Sequence, residues 1–179
     1  MTRIINFFGA PGSGKTTAAA EAFVHAKKKG YSAHLVLEYV TELILQGNLE
    51  AVKNQKMLFE EQQRRINIAY PKTDFIMVDS PLLLGIVYQR HWNKMSDTAF
   101  EKQVLDTHKL YNQTNVLLKY NPKYYSQKGR VTSMQDSFAI EQLIKTVLQE
   151  TQTPFVEIND MEELENCIDN IIEKGVKND

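Results

Sequence analysis

Eight residues near the start constrain this chain more than any others: Gly9-Ala10-Pro11-Gly12-Ser13-Gly14-Lys15-Thr16. They satisfy G-x-x-x-x-G-K-[ST] at every position, and Thr17 extends the run. The flanks fit as well. The apolar run "RIINFF" (3–8) has the character of a buried strand, and an alanine-rich helical stretch follows as far as Lys29, where Gly30 stops it. In such a loop the glycines let backbone N–H groups curl around phosphate oxygens, where a side chain would obstruct them. The amino end of the next helix adds its partial positive charge. Lys15 is therefore expected at the β- and γ-phosphates of a nucleoside triphosphate, and the Thr16 hydroxyl on Mg2+. ATP and Mg2+ are the expected pair at this loop.

Further apolar runs, "AHLVLE" (33–38), "DFIMVDS" (74–80), "NVLLK" (115–119) and "PFVEI" (154–158), read as buried strands. Helical patterns over 39–46, 49–69, 81–90, 98–112, 135–150 and 161–173 alternate with them. That alternation predicts an α/β fold: a P-loop NTPase-type three-layer α/β/α sandwich on a five-stranded parallel sheet, one domain over 1–179. Ligands of such a sheet collect beyond the carboxyl ends of its strands, which singles out 9–17, 38–42, 79–82, 119–130 and 159–160.

Two of those strand ends carry acids. Glu38 closes the second strand after an apolar approach and is expected to orient or deprotonate an acceptor hydroxyl, with Tyr39 beside it. Asp79 closes the third and is expected on Mg2+ or in the base role, with Ser80 as a substrate contact. The polar, basic stretch "YNPKYYSQKGRVTSMQ" has no apolar period and reads as a lid over about 120–134. Within it Lys128 and Arg130 are expected on the ATP phosphates, and Arg130 can neutralise charge on the transferred group. On the long second helix, Gln55 and Gln62 lie seven residues apart on one face, and Gln62 is a candidate reader of a base. Arg65 is a candidate for an acceptor phosphate.

Other classes fit less well. An N-K-x-D segment after a strand, needed to read guanine, is missing, and no strand ends in the paired acids of a motor ATPase. A mixture of 42% hydrophobic and 24% charged residues is that of a soluble domain, without the long apolar run that a membrane span requires. The opening strand leaves no room for a signal peptide, and the lone Cys167 forms no internal disulfide, so a cytoplasmic setting is expected. Residues 51–130 hold thirteen basic against seven acidic residues, and 131–179 hold three against eleven. The basic middle suits phosphates or nucleic acid better than the acidic tail does.

The phosphate loop, "LEYVTEL" (37–43), "NQKMLFEEQQRR" (54–65), "VDSPLLLG" (78–85) and "KGR" (128–130) together resemble the NadR-type P-loop family. They resemble most a branch of small kinase-like proteins common in bacteriophage genomes, whose setting would be the host cytoplasm. The resemblance spans about residues 3–158. It implies a nucleoside-kinase-like fold with sheet order 2-3-1-4-5 and an acceptor bound near Glu38. Where the nicotinamide riboside kinases of that family continue Glu-Tyr-Ala-Arg, this chain has Glu38-Tyr39-Val40-Thr41, one cation fewer. The partners so implied are a nucleoside or nucleotide acceptor or, as in phage kinases acting on 5-hydroxymethyluracil, DNA carrying a modified base. A homodimer is compatible with that reading.

Overall fold

The computed structural model describes residues 1–93, 97–120 and 134–176. Five strands, β1 (Arg3–Phe8), β2 (Ala33–Val36), β3 (Phe75–Val78), β4 (Gln113–Leu118) and β5 (Val156–Ile158), form one sheet. Its order is β2-β3-β1-β4-β5 and every pairing is parallel, the arrangement expected from the resemblance. The helices are α1 (Lys15–Lys28), α2 (Tyr39–Leu45), α3 (Gln55–Ala69), α4 (Leu84–Asn93), α5 (Thr98–His108), α6 (Met134–Glu150) and α7 (Met161–Val176).

Alternation along β1 explains the three layers. Ile4 and Phe8 enter a core shared with α3, α4, α5 and α6, while Ile5 and Phe7 enter a second one with α1 and α7. The inner strands β1, β3 and β4 are thus largely buried on both faces, which is why they read as unbroken apolar runs. The edge strands are less covered: β2 is mostly half-buried and β5 exposes Val156 and Glu157. Ala18, Ala22 and Ala26, at i, i+4 and i+8 of α1, are fully buried, so the helix leaving the phosphate loop lies close against the sheet. The acidic α7 is tied to α1 by Asp169, which meets Lys29 at 2.6 Å and His25 at 2.7 Å.

Element edges differ from the sequence reading in two instructive places. The helix expected over 49–69 splits into a 3-10 turn at Ala51–Lys53 and α3, because the Asn54 side chain accepts from the Met57 N–H at 3.0 Å and caps a new start. The helix expected from Pro81 begins at Leu84, after a turn in which the N–H groups of Leu84, Gly85 and Ile86 donate to carbonyls three residues back. Among the described residues no helix is long and apolar enough to cross a membrane.

At the end of α5, His108 is 5% exposed, and burial, helped by the Lys109 charge, brings its imidazole down to about 4. The unfolded chain takes up a proton on this ring below about pH 6.5, which the folded chain refuses until about pH 4. Stability is therefore present above the unfolded value and falls as pH drops through that window, by on the order of 2–3 kcal/mol. Melting temperature measured from pH 7.5 to 4.5 should fall for the native chain and flatten in His108→Leu; an unchanged slope in the variant would assign the acid sensitivity elsewhere.

Candidate functional site

β1 is the middle strand, so the loop that follows it emerges at the centre of the sheet's carboxyl edge. Gly12 and Gly14 turn it at φ 89° and 91°, backbone conformations that side chains rarely tolerate. Gly9 is needed for space: a Cβ there would stand 2.2 Å from Ser13 Oγ and 2.9 Å from the Leu118 carbonyl oxygen. Ala10 is fully buried and anchors the loop in the core. The Ser13 N–H donates to the Ala10 carbonyl at 3.1 Å, and Lys15 Nζ donates to the same oxygen at 3.0 Å. Helix α1 begins at Lys15 with no side-chain cap on its N-terminal groups, which leaves them directed into the loop.

Asp79 follows β3, the strand beside β1, and its Oδ2 accepts from the Thr16 hydroxyl at 2.9 Å. It does not cap a helix at Pro81, since α4 starts five residues later. Its second oxygen, Oδ1, is buried without a hydrogen-bond partner. Burial pushes the Asp79 carboxyl up, against the pull of the Thr16 hydroxyl and the Lys15 charge. An orphaned carboxylate oxygen beside a hydroxyl is a hard oxygen donor set, and it fits Mg2+.

Glu38 follows β2, one strand further out, so its backbone stands about 10 Å (two strand spacings) along the edge from the loop. It occupies the N-cap position of α2 but makes no side-chain capping hydrogen bond. A cavity of about 380 Å³ joins these pieces: Pro11, Gly12 and the loop residues from Gly14 to Thr17 line it together with Glu38, Tyr39, Asp79 and Ser80. Gln55 and Gln62, each 5% exposed, enter its far wall from α3. Tyr88 and Trp92 of α4 also line it; neither stands out in the sequence, although Leu84, Tyr88 and Trp92 at i, i+4 and i+8, with Gly85 three residues before Tyr88, could have flagged a shared face.

Arg65 is placed differently from the role expected of it. Its guanidinium makes a two-pronged pair with Glu42 at 2.7 and 2.8 Å, reaches Glu61 at 2.8 Å, and lies 4.7 Å from the centre of the Tyr39 ring. It is absent from the cavity wall, and the geometry makes it a brace that ties α2 and Tyr39 to α3. Between Arg64 and Arg65, the Glu61 carboxyl is held down to about 2. Tyr120 packs on the α3–α6 core. Lys128 and Arg130, with all of the expected lid except Tyr120 and Met134, lie outside the described residues.

Replacing Asp79 with asparagine keeps the shape of the group and removes a desolvated charge. Asp79→Asn should raise the melting temperature of the ligand-free protein by about 2–4 °C, for roughly 1 kcal/mol of relieved burial. The same variant should lose Mg2+-dependent turnover by about a hundredfold. A thermal scan paired with a Mg2+ titration checks both, and a drop in melting temperature would contradict the burial argument.

Residues 4–164 match the family model described as AAA domain. The chain belongs to the AAA-domain family. No curated protein matches its sequence significantly. Among solved structures it is similar to a deoxyadenosine kinase from M. mycoides, determined with dCMP and dCDP bound, at TM-score 0.61 and 17% identity, over 96% of this chain and 97% of that one. It is also similar to a thymidylate kinase from Ehrlichia chaffeensis at TM-score 0.66 and 15% identity, over 97% and 99% of the two chains. The five-stranded sheet with its surrounding helices is thus a P-loop kinase fold shared with both.

Proposed function

We propose that this chain is an ATP- and Mg2+-dependent kinase that transfers the γ-phosphoryl group to a hydroxyl of a nucleoside, nucleotide or related nucleobase-bearing acceptor. One observation carries the reading: a single cavity has the phosphate loop at one side and Glu38 at the other. The fold likeness to a deoxyadenosine kinase and a thymidylate kinase supports it, as does the resemblance of the sequence motifs to the NadR-type family.

In this mechanism the loop from Gly9 to Thr17 holds the β- and γ-phosphates by its backbone N–H groups, and Lys15 balances their charge. The acceptor hydroxyl hydrogen-bonds to Glu38, which orients it and takes its proton. The hydroxyl oxygen forms a bond to the γ-phosphorus while the bond from that phosphorus to the β–γ bridging oxygen breaks, and ADP leaves with those electrons. Thr16 and Asp79 are the residues that would hold Mg2+, which when bound would neutralise charge on the phosphate oxygens. Tyr39, Gln62 and Ser80 contact the acceptor. Lys128 and Arg130 are assigned to the phosphates from the sequence, in a lid over about 120–134 of one domain spanning 1–179.

The test offers labelled ATP to a panel of nucleosides, nucleotides, and plain and hydroxymethyl-containing DNA. Acceptor-dependent ADP release with a labelled product is expected. ADP release that no acceptor stimulates would reject the kinase reading in favour of a nucleotide-driven switch.

A further inference from the structure

The acceptor half of the cavity has a chemistry that narrows the substrate, given the kinase reading above. Gln62 sits in the middle of α3, 5% exposed, with its Nε2 buried and without a hydrogen-bond partner among the described residues. Gln55, on the same face and equally buried, is satisfied differently: its Nε2 donates to the Val52 carbonyl at 3.2 Å. An amide buried without a partner carries the full cost of its desolvation. If the amide is turned over, the orphan becomes an oxygen instead of a nitrogen, and the same cost remains. A partner supplied by a ligand removes that cost. The cavity lining also includes the aromatic residues Tyr39, Phe59, Tyr88 and Trp92 and the apolar Leu58, Leu82 and Leu84.

Charge points the same way. Among the described residues that line the cavity, the cation is Lys15, on the donor side, whereas Glu38 and Asp79 bring negative charge. Arg65, three residues beyond Gln62, is enclosed by Glu42, Glu61 and the Tyr39 ring. A phosphate entering the acceptor half would meet the Glu38 carboxylate there.

We infer that the acceptor is an uncharged nucleoside-type molecule whose planar base presents an amide or amidine edge to Gln62, and that the site discriminates against acceptors already carrying a phosphate. Gln62 is the specificity-determining residue.

Calorimetric titration of the full chain, loaded with a non-hydrolysable ATP analogue and Mg2+, tests this directly. The probes are adenosine, guanosine, cytidine and uridine, each beside its monophosphate. At least one nucleoside should bind about tenfold or more tightly than its monophosphate. Gln62→Leu should weaken that binding by about ten- to a hundredfold while raising the melting temperature, because an orphaned amide is replaced by an apolar group. Gln62→Glu, which keeps the shape and removes the donors, serves if the leucine variant misfolds, and it should lose binding as well. A monophosphate that binds as tightly as its nucleoside overturns the inference; so does full affinity in the folded variants, or no binding by any probe. A nucleoside that binds with Gln62-dependent affinity but is never phosphorylated leaves this inference standing and overturns the kinase reading.

Discussion

Lys15→Ala should lower phosphoryl transfer by about a thousandfold or more while leaving the fold in place. The ammonium sits at the first residue of α1, only partly buried, and donates to the Ala10 carbonyl at 3.0 Å inside the loop. Truncation there opens no core cavity, because the apolar anchors of the loop are Ala10 below it and Ala18 and Ala19 on the helix. The effect on activity is of another order. Charge spreads over the γ-phosphate oxygens during transfer, and a fixed cation beside them is worth several kcal/mol to that charge. The loop's backbone donors remain in the variant, so ATP binding should weaken less than turnover does. Steady-state kinetics beside a thermal melt separate the two effects. Turnover close to native in a folded variant would remove the phosphate loop from the chemistry.

Glu38→Gln should reduce turnover by about 10² to 10⁴-fold with little change in the KM for ATP. The substitution is isosteric, and the carboxylate makes no capping bond to α2, so helix and strand should persist. What disappears is the carboxylate to which the proposed mechanism gives the acceptor's proton, two strands away from the loop. The KM for ATP therefore serves as the control. If ATP affinity falls in step with turnover, Glu38 holds the loop region together and another group takes the proton. Since Asp79 is tied up with the Thr16 hydroxyl and its carboxyl is pushed up by burial, the Asp79→Asn variant measures that other group independently.

Much of the architecture was legible because its causes are local. Apolar runs marked all five strands, and the phosphate loop declared itself since its glycines, lysine and threonine are contiguous. Misplaced edges arose where a side chain intervened, as Asn54 does at the start of α3. The candidate site was legible only in part. Strand ends pointed to Glu38 and Asp79, while Tyr88 and Trp92 escaped notice because aromatic residues on a helix look alike whether they line a cavity or a core.

Arg65 shows where sequence reasoning goes astray. A basic residue on a helix near an acceptor site suggests a phosphate ligand, and its i, i+4 partner Glu61 can be seen in the sequence. Its stronger engagement with Glu42 depends on how α2 docks on α3. Gln62 is the reverse case: seven-residue spacing put it on the face of Gln55, but only packing revealed that its Nε2 has no hydrogen-bond partner among the described residues.

The sequence by itself determined that a phosphate loop stands between a buried strand and a close-packed helix, because backbone conformation and short-range hydrogen bonds there depend on neighbours within a few positions. Tertiary structure decided the rest. Thr16 meets Asp79 across 63 positions of chain, Arg65 turns to carboxylates, and Gln62 faces an aromatic cavity. Those outcomes follow from which strands lie side by side and which helix faces meet, and a pattern of residues along one segment carries neither.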